Sequence, residues 1–355
     1  MALSNNQKEL IAIEVIRTLY NKFKDFPEDA TNNRNAPFHE AFLNAFSEVF
    51  DKHVTSIPIF LSLASWMHGF NTSLGQSFLE KTAHILCGGE KRAFTPKANT
   101  LLQISPSQRS IVNNLITELA NENRLPNLID ENNELVFAEV LEIDATSFTA
   151  DVYYEDAEQV VCIELKTVKP NHGIFKGEKQ KILEAKIALK NLYPNKNIKY
   201  LFGFPFDPLN GIATEYDKQR FMDYSVGFRK FISEDEFLLS AELWDFLSGE
   251  ENTMQEILDI INTIATTDFM DIYNFLNNNG KRINSEEYCE RLRSWYLLRD
   301  CRLIENNEII LERIANNQRL QRTYNQNIFK IKIESGKIKA EYNNTRMNRL
   351  NSLLN

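Results

Sequence analysis

Between residues 134 and 208 the chain changes its period. The runs "ELVFAEVLEID", "SFTADVYYED" and "QVVCIELKTV" are rich in β-branched and aromatic residues and are separated by short polar stretches, the pattern of an antiparallel meander. "GEKQKILEAKIALKNLY" follows, a helix whose Ile182, Ala185, Leu189 and Leu192 form one apolar stripe. "NIKYLFGFPFDP" then returns to a strand stopped by prolines. The order strand, strand, strand, helix, strand predicts an α+β fold, with a mixed central sheet where the fourth strand pairs beside the third.

Helical patterns flank this block on both sides. "QKELIAIEVIRTLYNKF" brings Leu10, Ile13, Val15, Ile16 and Leu19 near one face, "HEAFLNAFSEVFDKHV" and "TSLGQSFLEKTAHIL" continue in the same period, and "SPSQRSIVNNLITELANE" opens with a Ser-Pro helix start. Helices resume from about 215 to 300. Near the end "NIFKIKIESGKIKAEYN" alternates around Ser335-Gly336 and predicts a C-terminal β-hairpin, with Phe329, Ile331 and Ile333 on one face and Lys330, Lys332, Lys337 and Lys339 on the other. The expected organisation is a helical region over 1–125, a core over 126–280 and a basic region over 281–355. No run of about 18 apolar residues is present, "MALSNNQKEL" has no signal-peptide core, and four scattered cysteines form no C-x-x-C pair. A reduced, cytoplasmic protein is expected.

Net charge is −9, yet the charge is unevenly placed. Residues 166–199 hold nine Lys against two Glu, and residues 281–355 hold fifteen Lys and Arg against nine Asp and Glu. Two basic regions on an acidic body fit a chain that admits a polyanion at one cleft, and equally fit solvated faces.

"VVCIELK" carries the chemistry. Val160 to Ile163 suit a buried strand, and Glu164 and Lys166, two residues apart, project from its end on one face. Asp151 lies on the preceding strand, where a short hairpin brings it near Glu164. Two converging carboxylates, with the Leu165 carbonyl, suit Mg²⁺, which takes oxygen ligands and keeps several waters. Lys166 then orients or helps deprotonate a metal-bound water and steadies a phosphate, so the expected reaction is phosphodiester hydrolysis. An ion pair at a strand end is the alternative, and Asp144 and Asp156 compete with Asp151, which is preferred for its place inside a strand.

Ala150-Asp151 with Glu164-Leu165-Lys166 resembles the PD-(D/E)-x-K nuclease superfamily, with alanine in place of the leading proline. Over roughly residues 70–270 the chain is similar to TdeIII-type restriction endonucleases, in "ELKTVKPNHGIFKGEKQKILEAKIAL", "YLFGFPFDP", "AELWDFLSG" and "TMQEILDIINTIATTDF". The resemblance implies a sequence-specific, Mg²⁺-dependent Type II restriction endonuclease acting on double-stranded DNA. It implies a homodimer, a cognate DNA methyltransferase as functional counterpart, and a short G/C-rich palindrome such as GGNCC. It further implies a helix glutamate before the core, for which Glu80 stands either toward the cleft or toward solvent. Gln180 is drawn into the site or to DNA by its place in the same stretch.

Lys169, Lys176 and Lys179 are the expected phosphate contacts of the first basic region. Lys330, Lys332, Lys337 and Lys339 either track a groove or guard an exposed strand edge. "CGGEKRAF" is a further phosphate-contact candidate without a P-loop pattern, and His172 is a loop histidine. Two other functions stand beside restriction: a repair or recombination nuclease without base readout, and a non-catalytic DNA-binding or scaffold protein.

Overall fold

The computed structural model describes residues 2–24, 26, 57–138, 140–166, 174–224, 227–278, 280, 286–334 and 337–354. The helix expected in "HEAFLNAFSEVFDKHV" lies outside them. The chain divides into two compact units, one of Met1–Leu3 with Leu79–Glu256 and one of Ser4–Phe78 with Ile257–Asn355.

The first unit holds seven described strands: β1 (Glu90–Phe94), β2 (Gln103–Ile104), β3 (Ile143–Asp144), β4 (Phe148–Glu155), β5 (Gln159–Leu165), β6 (Asn197–Phe204) and β7 (Phe237–Leu239). Five form one sheet in the order β1-β4-β5-β6-β7. The β1/β4 and β4/β5 pairs are antiparallel, and β5/β6 and β6/β7 are parallel. The fold is therefore α+β with a mixed sheet, and the 197–204 strand does pair beside the 159–165 strand.

Among the described residues, one strand of the expected meander is not there. "ELVFAEVLEID" contributes only β3, which pairs with β2 in a separate ribbon, and its Val136, Phe137 and Val140 are exposed. The outer edge of β4 is taken instead by β1, from the stretch "CGGEKRAF". Ring contacts explain the choice: Phe94 stacks on Phe148 at 4.6 Å, and the Arg92 guanidinium lies 4.2 Å from the centre of the Tyr153 ring.

Helix Ile174–Leu192 joins β5 to β6, as a parallel pair requires. Its Ile182, Ala185 and Leu189 pack with Val160, Cys162, Tyr200 and Phe202 of the sheet. Its Leu183, Ile187 and Ala188 pack with Val112, Leu115 and Ile116 of helix Pro106–Ala120. The helix is thus buried on two sides rather than along one stripe, and Leu192, expected in that stripe, is exposed. Helix Pro106–Ala120 starts where Ser-Pro predicted: Ser105 and Gln108 form a reciprocal capping box, with proline in the first turn.

In the second unit, helix Asn5–Lys24 buries Ile11, Ala12, Ile13, Val15, Ile16 and Tyr20. Strands β8 (Phe329–Glu334) and β9 (Lys337–Tyr342) pair antiparallel, and the turn expected at Ser335-Gly336 lies outside the described residues. Arg346 Nη1 donates to Asp300 Oδ1 at 2.6 Å and the Tyr342 hydroxyl to Asp300 Oδ2 at 2.7 Å, all three side chains being buried. Phe329 is buried, but Ile331 and Ile333, on its face of β8, are 57% and 75% exposed. All four cysteines are free thiols. Among the described residues no helix is long and apolar enough to cross a membrane.

Candidate active site

β5 is the middle strand of the sheet, and Val160, Val161, Cys162 and Ile163 are fully buried. Its register with β4 ends at Val152 opposite Ile163, so Asp151 and Glu164 each lie one residue beyond that last pair. Asp151 reaches β5 through the Leu165 amide, next in the chain to Glu164. A bulge falls at the same point: Glu90 pairs with Tyr153 and Arg92 with Ala150, so two steps along β1 match three along β4, and β4 carries an extra residue at Asp151/Val152. Such a bulge twists the strand and re-aims the side chain it carries. Asp151 Oδ2 accepts from the Leu165 amide at 3.0 Å, and Oδ1 accepts from Lys91 Nζ at 3.0 Å. His84 Nε2 lies 2.7 Å from the Asp151 carbonyl oxygen.

The strand end bearing the motif is held closely by β6. The Lys166 amide donates to the Gly203 carbonyl at 2.9 Å. A Cβ at residue 203 would come within 2.8 Å of Ile163 Cγ2 and 2.9 Å of Leu165 Cδ2, so only glycine lets β6 approach there.

Glu164 is the centre of an ion cluster. Oε1 accepts from Lys166 Nζ at 2.5 Å and Oε2 from Lys181 Nζ at 2.6 Å. Glu178 reaches the same two lysines, at 3.5 Å to Lys166 and 2.5 Å to Lys181. Burial acts to raise the Glu164 carboxyl, but the Lys181 and Lys166 ammoniums overcome it and hold the group below its ordinary value of 4.5. Burial acts to lower Lys166, and its bonds to Glu164 and Glu178 overcome that in turn, leaving it above 10.5. Lys166 is therefore a protonated cation in this arrangement.

These shifts predict a pH signature. A lowered carboxylate contributes stability that is present above 4.5 and lost as pH falls through its folded value; a raised lysine contributes stability present below 10.5 and lost as pH rises through its folded value. Melting temperature followed from neutral pH into acid should start higher in the parent than in Glu164→Gln, and the two curves should converge below 4.5. A gap that stays constant into acid would mean that the ion cluster adds nothing to stability.

Glu80 opens helix Glu80–Cys87, with His84 one turn on. Its Oε2 lies 2.8 Å from Lys91 Nζ, the same ammonium that bonds Asp151, so Glu80 is turned toward the motif rather than left in solvent. The competing acids are otherwise engaged. Asp156 accepts from the Glu158 and Gln159 amides in the β4–β5 turn, and Asp144 is exposed on β3.

Lys179 requires correction. It was expected at phosphate, but it is fully buried, 2.5 Å from Glu131 Oε2 and 2.6 Å from Glu236 Oε1. Helix Ile174–Leu192 turns it into the protein, between carboxylates that stand where no DNA can reach. Lys176 is exposed in the first turn of that helix, and Gln180 is half-buried with Nε2 3.5 Å from Asn113 Oδ1. Lys169 and His172 lie outside the described residues. Lys332 and Lys339 are exposed on one face of the β8/β9 pair, Lys330 is half-buried, and Lys332 forms an ion pair with Glu341 across the strands. Lys337 pairs with Glu334 by backbone register, its side chain lying outside the description.

Three residues at this site were not picked out for it in the sequence: Lys91, Glu178 and Lys181. Glu178 and Lys181 are an i,i+3 pair on the crossover helix, a signal that on its own reads as ordinary helix-surface charge. Lys91 sits in the stretch considered for phosphate contact, but its reach to Asp151 depends on β1 taking the edge of the sheet.

A mixed sheet whose neighbouring strands β4 and β5 carry Asp151 and Glu164 among lysines does not by itself name a reaction. Comparison with known proteins supplies the class. The family model of the Type II restriction endonuclease HinfI matches residues 3–265, and the chain belongs to that family. It is also 45% identical over 283 residues to the Type II restriction enzyme MjaII of Methanocaldococcus jannaschii, an alignment covering 78% of this chain and 75% of that enzyme. The protein is thus a restriction endonuclease, a nuclease whose substrate is DNA. Restriction endonuclease was the class expected from sequence; the matching family is HinfI, where the residues had suggested the TdeIII type.

Proposed function

We propose that Asp151, Glu164 and Lys166 form a Mg²⁺-dependent site of PD-(D/E)-x-K type that cuts both strands of a short palindrome. The observation that carries this reading is the bond from the Leu165 amide to Asp151, which brings that carboxylate to the end of β5 that bears Glu164, with Lys166 two residues on and bonded to Glu164. Among the described residues no three His, Cys, Asp or Glu side chains gather as a metal cage. Mg²⁺ asks for no such cage: one or two carboxylates, a carbonyl and water suffice. The donor set of Asp151, Glu164 and the Leu165 carbonyl is all oxygen, and both carboxylates already take ammonium cations, so the residues present fit the ion.

When bound, the ion supplies charge stabilisation at the phosphoryl oxygen and a nucleophile at neutral pH. The protein does the rest. Asp151 and Glu164 hold the ion and are themselves fixed, the first by the Leu165 amide and the second by the buried end of β5. Lys166, bonded to Glu164, is placed to orient or help deprotonate the attacking water and to steady the phosphate. Glu80 holds Lys91 against Asp151. Lys169, Lys176, Gln180 and the lysines of β8 and β9 are the proposed DNA contacts.

A duplex with a two-fold target calls for two such sites, hence a homodimer, and a host that carries the enzyme needs a DNA methyltransferase to protect its own sites. A palindrome with an unspecified central base, GGNCC, is the instance that the TdeIII-type likeness suggests. The test is long duplex DNA incubated with the protein and Mg²⁺, with a chelator control, and the fragment ends sequenced. Discrete fragments sharing one end sequence, formed only with the metal, are expected. A smear would indicate a repair or recombination nuclease without base readout, and intact DNA a binding protein only.

A further inference from the structure

Lys91 stands apart from the other two lysines of the site. Its Nζ bridges Glu80 Oε2 at 2.8 Å and Asp151 Oδ1 at 3.0 Å. Its side chain is 48% exposed, against 26% for Lys166 and 19% for Lys181. It projects from an edge strand, at the point where β4 bulges. It is therefore the cation with the most room to leave its carboxylates.

The charge balance gives that departure a purpose. Glu80, Asp151, Glu164 and Glu178 are four carboxylates, and Lys91, Lys166 and Lys181 are three ammoniums, so the cluster carries one net negative charge. In that state it repels a phosphodiester. A divalent cation reverses the sign and leaves one positive charge, which matches one phosphate. The Asp151 oxygen that Lys91 holds is the one not engaged by the Leu165 amide, so a cation that binds there competes with Lys91.

We propose that Lys91 and a divalent cation exchange places on Asp151, and that the displaced Lys91 ammonium binds a phosphate of the DNA backbone. This rests on the metal site proposed above. Two effects follow from one residue. Before DNA arrives, Lys91 lowers the affinity of the site for metal and keeps its carboxylates paired. Once metal and DNA are both bound, Lys91 adds a phosphate contact supplied by β1, on the opposite side of Asp151 from Lys166.

The test uses Lys91→Met, which keeps side-chain length and removes the charge. Ca²⁺ titrated into the DNA-free protein and followed by calorimetry should bind several-fold more tightly to this variant than to the parent. DNA affinity measured in Ca²⁺ at a series of salt concentrations should lose about 0.9 from the slope of log affinity against log salt, the share of one phosphate contact. Lys91→Arg should restore that slope. Asp151→Asn separates the two ways of failing. If it binds Ca²⁺ as the parent does, Asp151 is no metal ligand, and both the metal site and the exchange fall. If Asp151→Asn loses Ca²⁺ while Lys91→Met binds it no more tightly than the parent, or keeps the full salt slope, the metal site stands and the exchange is overturned.

Discussion

Asp151→Ala and Glu164→Ala should each lose cleavage by about three orders of magnitude or more, because a metal contributes several kcal/mol of transition-state stabilisation and each 1.4 kcal/mol is tenfold in rate. Folding should survive in both. Asp151 is partly exposed and lies at a bulge, so its loss leaves no cavity in the core. Glu164 is more enclosed, and its removal leaves Lys166 and Lys181 still paired with Glu178. The measurement is single-turnover cleavage of one duplex, run beside a melting curve. A variant that is fully folded at the assay temperature and cuts at less than about a thousandth of the parent's rate fits a metal ligand. A variant that cuts at the parent's rate removes that carboxylate from the site.

The second large effect lies in the core. Lys179, Lys186, Glu131 and Glu236 form a buried cluster in which Lys179 touches both carboxylates, and Lys186 Nζ lies 3.8 Å from Glu236 Oε1. Burial raises the Glu131 carboxyl and Glu236 adds to this, whereas Lys179 and Lys186 overcome burial at Glu236 and hold it low. Removing one partner from a buried ion pair strands the other, at a cost of about 3–5 kcal/mol. Lys179→Met should therefore lower stability by about that amount in a denaturant titration. At temperatures where it stays folded, its DNA affinity should keep the parent's salt dependence. A lysine on phosphate would do the reverse, leaving stability alone and flattening the salt slope.

The sequence carried the central strands and the motif because their signals are local. Val160 to Ile163 have to be buried, and period two then sends Glu164 and Lys166 out together. The spacing to Asp151 needs only a short turn, and the Asp156 turn at 156–159 provides it. The HinfI family, the edge strand β1 and the inward course of Lys179 were not legible in the same way. "EKRAF" has a single buried residue, Phe94, and becomes a strand through ring contacts with residues more than fifty positions away. "ELVFAEV" has the stronger strand composition and yet its Val136, Phe137 and Val140 are left exposed, because that edge of β4 is already filled. Lys179 sits among lysines on a helix that is covered on two sides. Which of its charges point inward depends on Glu131 and Glu236, one between β2 and β3 and one between β6 and β7, and no periodicity within the helix reports them. Glu80 was open in the sequence and is resolved by the same edge strand, since Lys91 is what ties it to Asp151.

Oxidative cleavage of the polypeptide reads the position of the metal directly. Fe²⁺ loaded in place of Mg²⁺, with ascorbate and peroxide, generates radicals that cut the backbone beside the bound ion. The cuts should fall on β4 near Asp151 and on β5 near Glu164 to Lys166, should fade as Mg²⁺ is added, and should be absent from Asp151→Ala. Cuts elsewhere in the chain that Mg²⁺ suppresses, with these two strands left whole, would contradict the assignment of the active site.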